Sequence, residues 1–283
     1  MKLINKSELD DFIFDCSIAS YLAYLDPDMF YLKWNKYKDE ITCNTTESFY
    51  SERECGVNQF LCGVKTRPIF YNGAMNPTIT KDVQAYLIYK DSTAFITFRG
   101  TNNIRTALYD CNGLLVSIKG AAHIKVHNGF YKQFLAIEDS IRKDLEALNP
   151  EKIVFTGHSM GSSIATIASA IFGIDNNFSS KIHCVGFGCP RVGNQNFVSL
   201  FNTVCKNNWR ITCVKDPVPL LPFIPGYEHV SPAYHIIDNS LYKKTDDQYI
   251  IYRIINFIYN LRKPIYNHCY DHYIQCMLKI QNA

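Results

Sequence analysis

Ile153-Val154-Phe155-Thr156-Gly157-His158-Ser159-Met160-Gly161-Ser162-Ser163-Ile164-Ala165-Thr166-Ile167-Ala168 reads as strand, sharp turn and helix. The β-branched and aromatic run before Gly157 predicts a buried strand, and the small residues after Gly161 predict a helix that packs closely on a sheet. Gly157 and Gly161 bracket Ser159 in G-x-S-x-G. A side chain at either flank would collide with the backbone crossing it, so this spacing lets a serine occupy a strained turn with its hydroxyl exposed as a nucleophile. The bare pattern is common. Its meaning depends on whether the rest of the chain supplies a base, an orienting acid and donors for an oxyanion.

Working outward, residues 83–89 and 94–98 predict a strand pair joined by the turn Lys90-Asp91-Ser92-Thr93. Residues 131–148 carry Phe134, Ile137, Ile141, Leu145 and Leu148 as one apolar stripe, closed by Asn149-Pro150, and predict a single helix. Residues 182–187 and 210–214 predict further strands, with a helix around 194–204 between them. Near the N-terminus, Ser7 is expected to cap a packing helix that runs to Tyr24. Between residues 34 and 76 the periodicity fades. Strands alternating with helices in short units argue for an α/β fold, a central, mostly parallel sheet covered on both faces. With no internal repeat and no dividing linker, residues 1–283 are expected to form one domain, 1–82 being a helical and irregular region packed on the remainder.

Composition narrows the function. A hydrophobic share of 47% over 283 residues supports a well-buried core. The net charge of +3, without a dense basic cluster, gives no electrostatic case for a nucleic-acid partner. No apolar run reaches the length of a bilayer-spanning helix. The opening Met1-Lys2-Leu3-Ile4-Asn5-Lys6-Ser7-Glu8 lacks the pattern of a secretory leader, so an intracellular location is expected. The eleven cysteines form no small-domain framework. Cys43, Cys55 and Cys62 have neither a paired C-x-x-C nor a nearby histidine, so thiols are expected there rather than zinc. No metal or cofactor is expected.

A serine hydroxyl needs a histidine to take its proton and a carboxylate to hold that histidine in one tautomer. Asp216 fits the acid, because it follows a predicted strand in Lys215-Asp216-Pro217-Val218-Pro219, where the prolines stiffen the loop. Beyond it lie His229, His235, His268 and His272, and chain order does not choose among them. His158, inside the serine motif, is expected to be a packing residue.

Six stretches in order resemble the class 3 lipases, the fungal triacylglycerol lipase family: Phe98-Arg99-Gly100-Thr101, Val126-His127-Asn128-Gly129-Phe130, Gly157-His158-Ser159-Met160-Gly161, Gly186-Phe187-Gly188-Cys189-Pro190-Arg191-Val192-Gly193-Asn194, Asp216-Pro217-Val218-Pro219-Leu220-Leu221-Pro222 and Tyr227-Glu228-His229-Val230. The resemblance is clearest over residues 83–273. It implies an α/β-hydrolase fold, Ser159 as nucleophile, Asp216 as acid, and His272 as base, since Asp271-His272 is similar to the family's closing pair; His268 is next in line. It implies Thr101 as an oxyanion donor, beside the N–H of Met160 that the turn itself supplies. Residues 102–110 sit where that family carries a short lid, with apolar Ile104 and Leu108 four apart, although Ala107 stands where such lids often have tryptophan. A lid of this kind implies transient contact with a lipid interface; a surface loop is the plain alternative. The apolar stretch 249–261 has no counterpart in that resemblance and is expected to be a helix walling the core or acyl pocket, with a membrane-contacting surface as the alternative. These readings converge on a serine ester hydrolase for acylglycerols. Phospholipase A1, a small-ester or feruloyl-type esterase, and a catalytically silent lipase-like binding protein are the alternatives.

Overall fold

The computed structural model describes residues 2–9, 12–39, 49–72, 83–101, 113–230, 232–244 and 268–282. The expected lid with Ile104 and Leu108, and the apolar stretch 249–261, lie outside them. Among the described residues the strands are β1 (Lys2–Ile4), β2 (Ile69–Asn72), β3 (Val83–Lys90), β4 (Thr93–Phe98), β5 (Leu115–Ile118), β6 (Ala121–His127), β7 (Lys152–His158), β8 (Ile182–Phe187), β9 (Asn207–Cys213), β10 (Ala233–Ile237) and β11 (Ser240–Lys244). The α-helices are α1 (Phe12–Leu22), α2 (Pro27–Tyr37), α3 (Phe49–Leu61), α4 (Asn128–Leu135), α5 (Glu138–Leu148), α6 (Met160–Ile174), α7 (Gln195–Val204) and α8 (Tyr270–Asn282).

Nine strands form one sheet in the order β1-β11-β10-β9-β8-β7-β4-β3-β2, and β5 pairs separately with β6. The middle of the sheet, from β4 through β7, β8 and β9 to β10, is parallel, and both flanks are antiparallel. The expected α/β architecture is therefore present as a mixed sheet with a parallel centre. β7 lies inside that centre, so its residues are buried on both faces. Val154 joins the apolar layer beneath α1, α3 and α8, whereas Ile153 and Phe155 join the layer beneath α4 to α7. This alternation is the pleat expressed in packing.

The predicted hairpin is present. Lys90 pairs with Thr93, and Asp91 and Ser92 both have positive φ (48° and 59°), the backbone that a two-residue turn needs to match strand twist. The predicted helix over 131–148 is instead two helices. α4 starts early because the imidazole of His127 accepts hydrogen bonds from the Gly129 and Phe130 N–H groups. It ends before Ile137, whose φ of −128° and ψ of −2° leave the helix, and Ile137 itself is buried. The helix predicted from Ser7 begins further along, at α1, after a short 3-10 turn at Lys6–Glu8.

The region without evident periodicity contains α3 and β2. Cys55, Val57, Phe60 and Leu61 are buried in α3, but polar Ser51, Glu52, Arg53 and Glu54 precede them and Gly56, Asn58 and Gln59 interleave with them, which obscures the helical spacing. Cys55 is disulfide-bonded, in place of the thiol expected there. Among the described residues no helix is long and apolar enough to cross a membrane.

Phe60 is fully buried, with its ring edge-on to Phe95 of β4. Phe60→Ala is expected to lower unfolding free energy by about 3–5 kcal/mol. Urea denaturation would check this, with Phe60→Leu falling well short of that loss if packing is the cause.

Candidate active site

Ser159 sits between β7 and α6 at φ 59° and ψ −128°, a backbone that a non-glycine residue adopts only when its surroundings hold it there. Its N–H donates to the carbonyl of Phe187 at the end of β8 (2.9 Å), and its own carbonyl accepts from the Ser162 hydroxyl (2.6 Å). The glycines do what their spacing predicts. A Cβ on Gly161 would lie 2.2 Å from the carbonyl oxygen of Phe98, and one on Gly157 would lie 2.6 Å from the backbone of Gly161. The last residue of β4 therefore fits against the elbow only because both positions lack side chains. The hydroxyl is not exposed as expected, since Ser159 is only 4% accessible.

The imidazole contacting Ser159 is that of His268. Its Nε2 lies 2.7 Å from Ser159 Oγ and its Nδ1 2.8 Å from Asp216 Oδ2. Asp216 and His268 are both fully buried. His272, the expected base, is a correction: it lies on α8, with Nε2 facing Cys276 Sγ at 3.9 Å, and Asp271 beside it is paired with Arg53 at 2.7 Å. The physical reason is the start of α8. A residue within the helix is confined to the face its position dictates, whereas His268 precedes the first turn and its ring enters the core.

Asp216 follows β9, where the sequence placed it. Its Oδ1 accepts from the Val218 N–H (2.9 Å), closing the turn through Pro217. Its Oδ2 also accepts from the Tyr273 hydroxyl (2.6 Å), which in turn accepts from the Cys213 N–H (3.0 Å). Tyr273 is a site residue that sequence reading missed; only its place on the buried stripe of α8 hinted at it. Burial, then the Asp216 charge, push its phenol far above the usual range, so it stays a donor.

His158 is buried, as expected of a packing residue. Its Nδ1 is 2.8 Å from the Tyr24 hydroxyl, and its ring lies 4.7 Å from that of His268. Desolvation, followed by the neighbouring His268, drives its pKa well below the ordinary imidazole value. A cavity of about 10 Å³, lined by Ser20, His158, Tyr270 and Tyr273 among others, is of the size that holds one water.

Met160 opens α6, so its N–H is one of those that a helix leaves without an intrahelical partner. The positive end of the helix dipole points the same way. Thr101 is carried past the elbow by Gly100, where a Cβ would lie 2.7 Å from the His158 carbonyl. Arg99-Gly100 is thus a backbone crossing, with Thr101 next in the chain. His229 is remote from this line, its Nε2 2.5 Å from the Pro219 carbonyl, and His235 pairs with Thr212.

The sequence profile of the family described as Lipase (class 3) matches residues 95–226. Over these residues the chain is similar to the class 3 lipases. The stretch includes the elbow and Asp216 and stops short of His268. Among characterised relatives, secreted mono- and diacylglycerol lipase A of Penicillium cyclopium is 31% identical over 198 residues, which is 64% of this chain and 60% of that protein. Secreted mono- and diacylglycerol lipase 1 of Fusarium solani is 33% identical over 144 residues, 49% of this chain and 42% of that one. The chain thus matches under two thirds of the length of these relatives. The fold is similar to the crystal structure of a lipase from Rhizopus microsporus var. chinensis, with a TM-score of 0.69 and 20% identity, covering 94% of this chain and 88% of the other.

The buried imidazoles make the stability of the fold depend on pH. Burial lowers the pKa of His127 from 6.5 to about 4. Between those values the unfolded chain binds the proton and the folded one does not, so the stabilisation is complete above pH 6.5 and is lost as pH falls toward 4. His127 alone accounts for a loss on the order of 3 kcal/mol. Urea unfolding across this window should show the decline, and His127→Asn should flatten it.

Proposed function

We propose that this protein is a serine ester hydrolase that cleaves acylglycerols through an acyl-enzyme. The observation that carries this reading is the unbroken buried line Ser159 Oγ, His268 Nε2, His268 Nδ1, Asp216 Oδ2, with both gaps under 2.9 Å. His268 takes the Ser159 proton as the hydroxyl oxygen attacks the ester carbonyl. Asp216 holds the Nδ1–H tautomer and stabilises the imidazolium that forms. The N–H groups of Met160 and Thr101 receive the negative oxygen; one such donor is typically worth about 3 kcal/mol in the transition state. His268 then returns the proton to the departing alcohol, and water, activated by the same imidazole, releases the fatty acid.

The names of the Penicillium and Fusarium relatives support an acylglycerol rather than a phospholipid or a small ester. Exposed apolar residues support contact with a lipid surface. Leu114, Phe223 and Ile224 are 61%, 50% and 41% accessible, and Gly113 packs against the Ile224 side chain. Phe223 and Ile224 lie on the segment that follows Asp216. For cellular location, the disulfide at Cys55 favours an oxidising compartment, and the redox state of Cys55 in cells tests this.

Ser159→Ala and His268→Ala are each expected to lower kcat for a soluble ester by at least about 10⁴-fold while leaving the circular dichroism spectrum unchanged. A comparable loss in His272→Ala with full activity in His268→Ala would sink the assignment. A fluorophosphonate probe should label Ser159, and absence of labelling in folded protein would favour a silent binder. Rates across acyl chain lengths, above and below substrate aggregation, separate a lipase from an esterase. Replacing both Phe223 and Ile224 by serine should weaken sedimentation with diacylglycerol-containing vesicles several-fold.

A further inference from the structure

Three thiol and imidazole ligands meet where β9 passes under α8. Cys213 Sγ, His272 and Cys276 Sγ each present a ligand atom within 4.8 Å of the other two, and the Cys276 Sγ to His272 Nε2 distance is 3.9 Å. Cys213 and Cys276 are buried and not disulfide-bonded, and His272 is half-buried at the outer side. A tetrahedral zinc with Zn–S near 2.3 Å and Zn–N near 2.1 Å needs its ligand atoms roughly 3.5–3.8 Å apart. The pair that spans one turn of α8 is almost at that spacing, and the third ligand comes from the last residue of a central strand. His272 and Cys276 share a helix face because they are four residues apart.

We propose that Cys213, His272 and Cys276 form a binding site for zinc or a similar thiophilic dication, separate from the ester-hydrolysing line. Two thiolates and one neutral imidazole are the donor set that zinc selects. Binding displaces one proton from each thiol and leaves the imidazole lone pair on the metal. Two thiolates balance the charge of the dication, so the buried complex is neutral and escapes the cost of an unpaired buried charge. Water takes the fourth position, reached from the side of His272. The expected effect is mechanical. Tyr273 lies between the two helix ligands in sequence and bridges the Cys213 N–H to Asp216, so the metal clamps α8 to the strand end from which Asp216 is hung.

The test uses the full chain, reduced and free of metal under anaerobic conditions, and titrated with Co²⁺. The expected result is one equivalent bound, with a thiolate-to-cobalt charge-transfer band that Zn²⁺ abolishes, and a rise in Tm with either metal. Cys213→Ser and Cys276→Ser should lose the band while Cys62→Ser, which is outside this cluster, keeps it. Labelling of Ser159 by the fluorophosphonate probe checks that each variant is folded. If the thiol variants do not fold, His272→Ala should weaken cobalt binding by more than the roughly 10–100-fold of a lost outer-shell contact. Folded, reduced protein that takes up no cobalt would overturn the proposal. So would a band that persists in both thiol variants, or unaltered affinity in His272→Ala.

Discussion

A carboxylate with no access to water must be held by hydrogen bonds, and Asp216 is held by three. Each bond comes from a different part of the chain: the turn it begins, the histidine that precedes α8, and a tyrosine one turn into that helix. The surrounding architecture follows from this requirement. β9 ends in the middle of the sheet, so Asp216 emerges beside the elbow that carries Ser159. α8 lies over the same face, with α1 and α3 completing the apolar layer that excludes solvent. Loss of one partner would leave the other two to carry a buried charge, which is why the acid, the base and Tyr273 behave as a unit rather than as separable contributions.

The elbow is the second tightly determined feature. β4 and β7 run parallel, with Phe98 paired to Gly157, and this register aims the Phe98 carbonyl at the helix entry where Gly161 stands. The strained Ser159 backbone is sustained by that crossing together with the bond to Phe187. Strain and close packing are here one geometric fact seen from two chains of contacts.

What was legible in the sequence was what neighbouring residues decide among themselves. The elbow, the hairpin at Asp91-Ser92 and the acid after β9 are each written within a few positions, through glycine spacing, turn chemistry or proline. The choice between His268 and His272 is of another kind. It depends on where α8 begins, and the similarity of Asp271-His272 to a family pair pointed one turn too far along. Tyr273 was invisible for the same reason, since its partner is 57 residues away. α3 escaped because polar residues from Ser51 to Glu54 interrupt its apolar ones, and the break before α5 because Ile137 fits the helical stripe while its backbone leaves the helix. Tertiary packing overrides periodicity at these places.

The order in which the parts occur along the chain has a temporal meaning. During synthesis the elbow and then the acid emerge first, while His268 lies 109 residues beyond Ser159, and Tyr24, held against His158, comes 134 residues before it. Contacts this distant in sequence close late, after the local turns and helices have formed. A nascent chain that has emerged as far as Asp216 thus lacks the imidazole that joins Ser159 to Asp216. The line from Ser159 to Asp216 is completed only when His268 and α8 dock on the sheet, so the geometry of the site is itself a product of late folding.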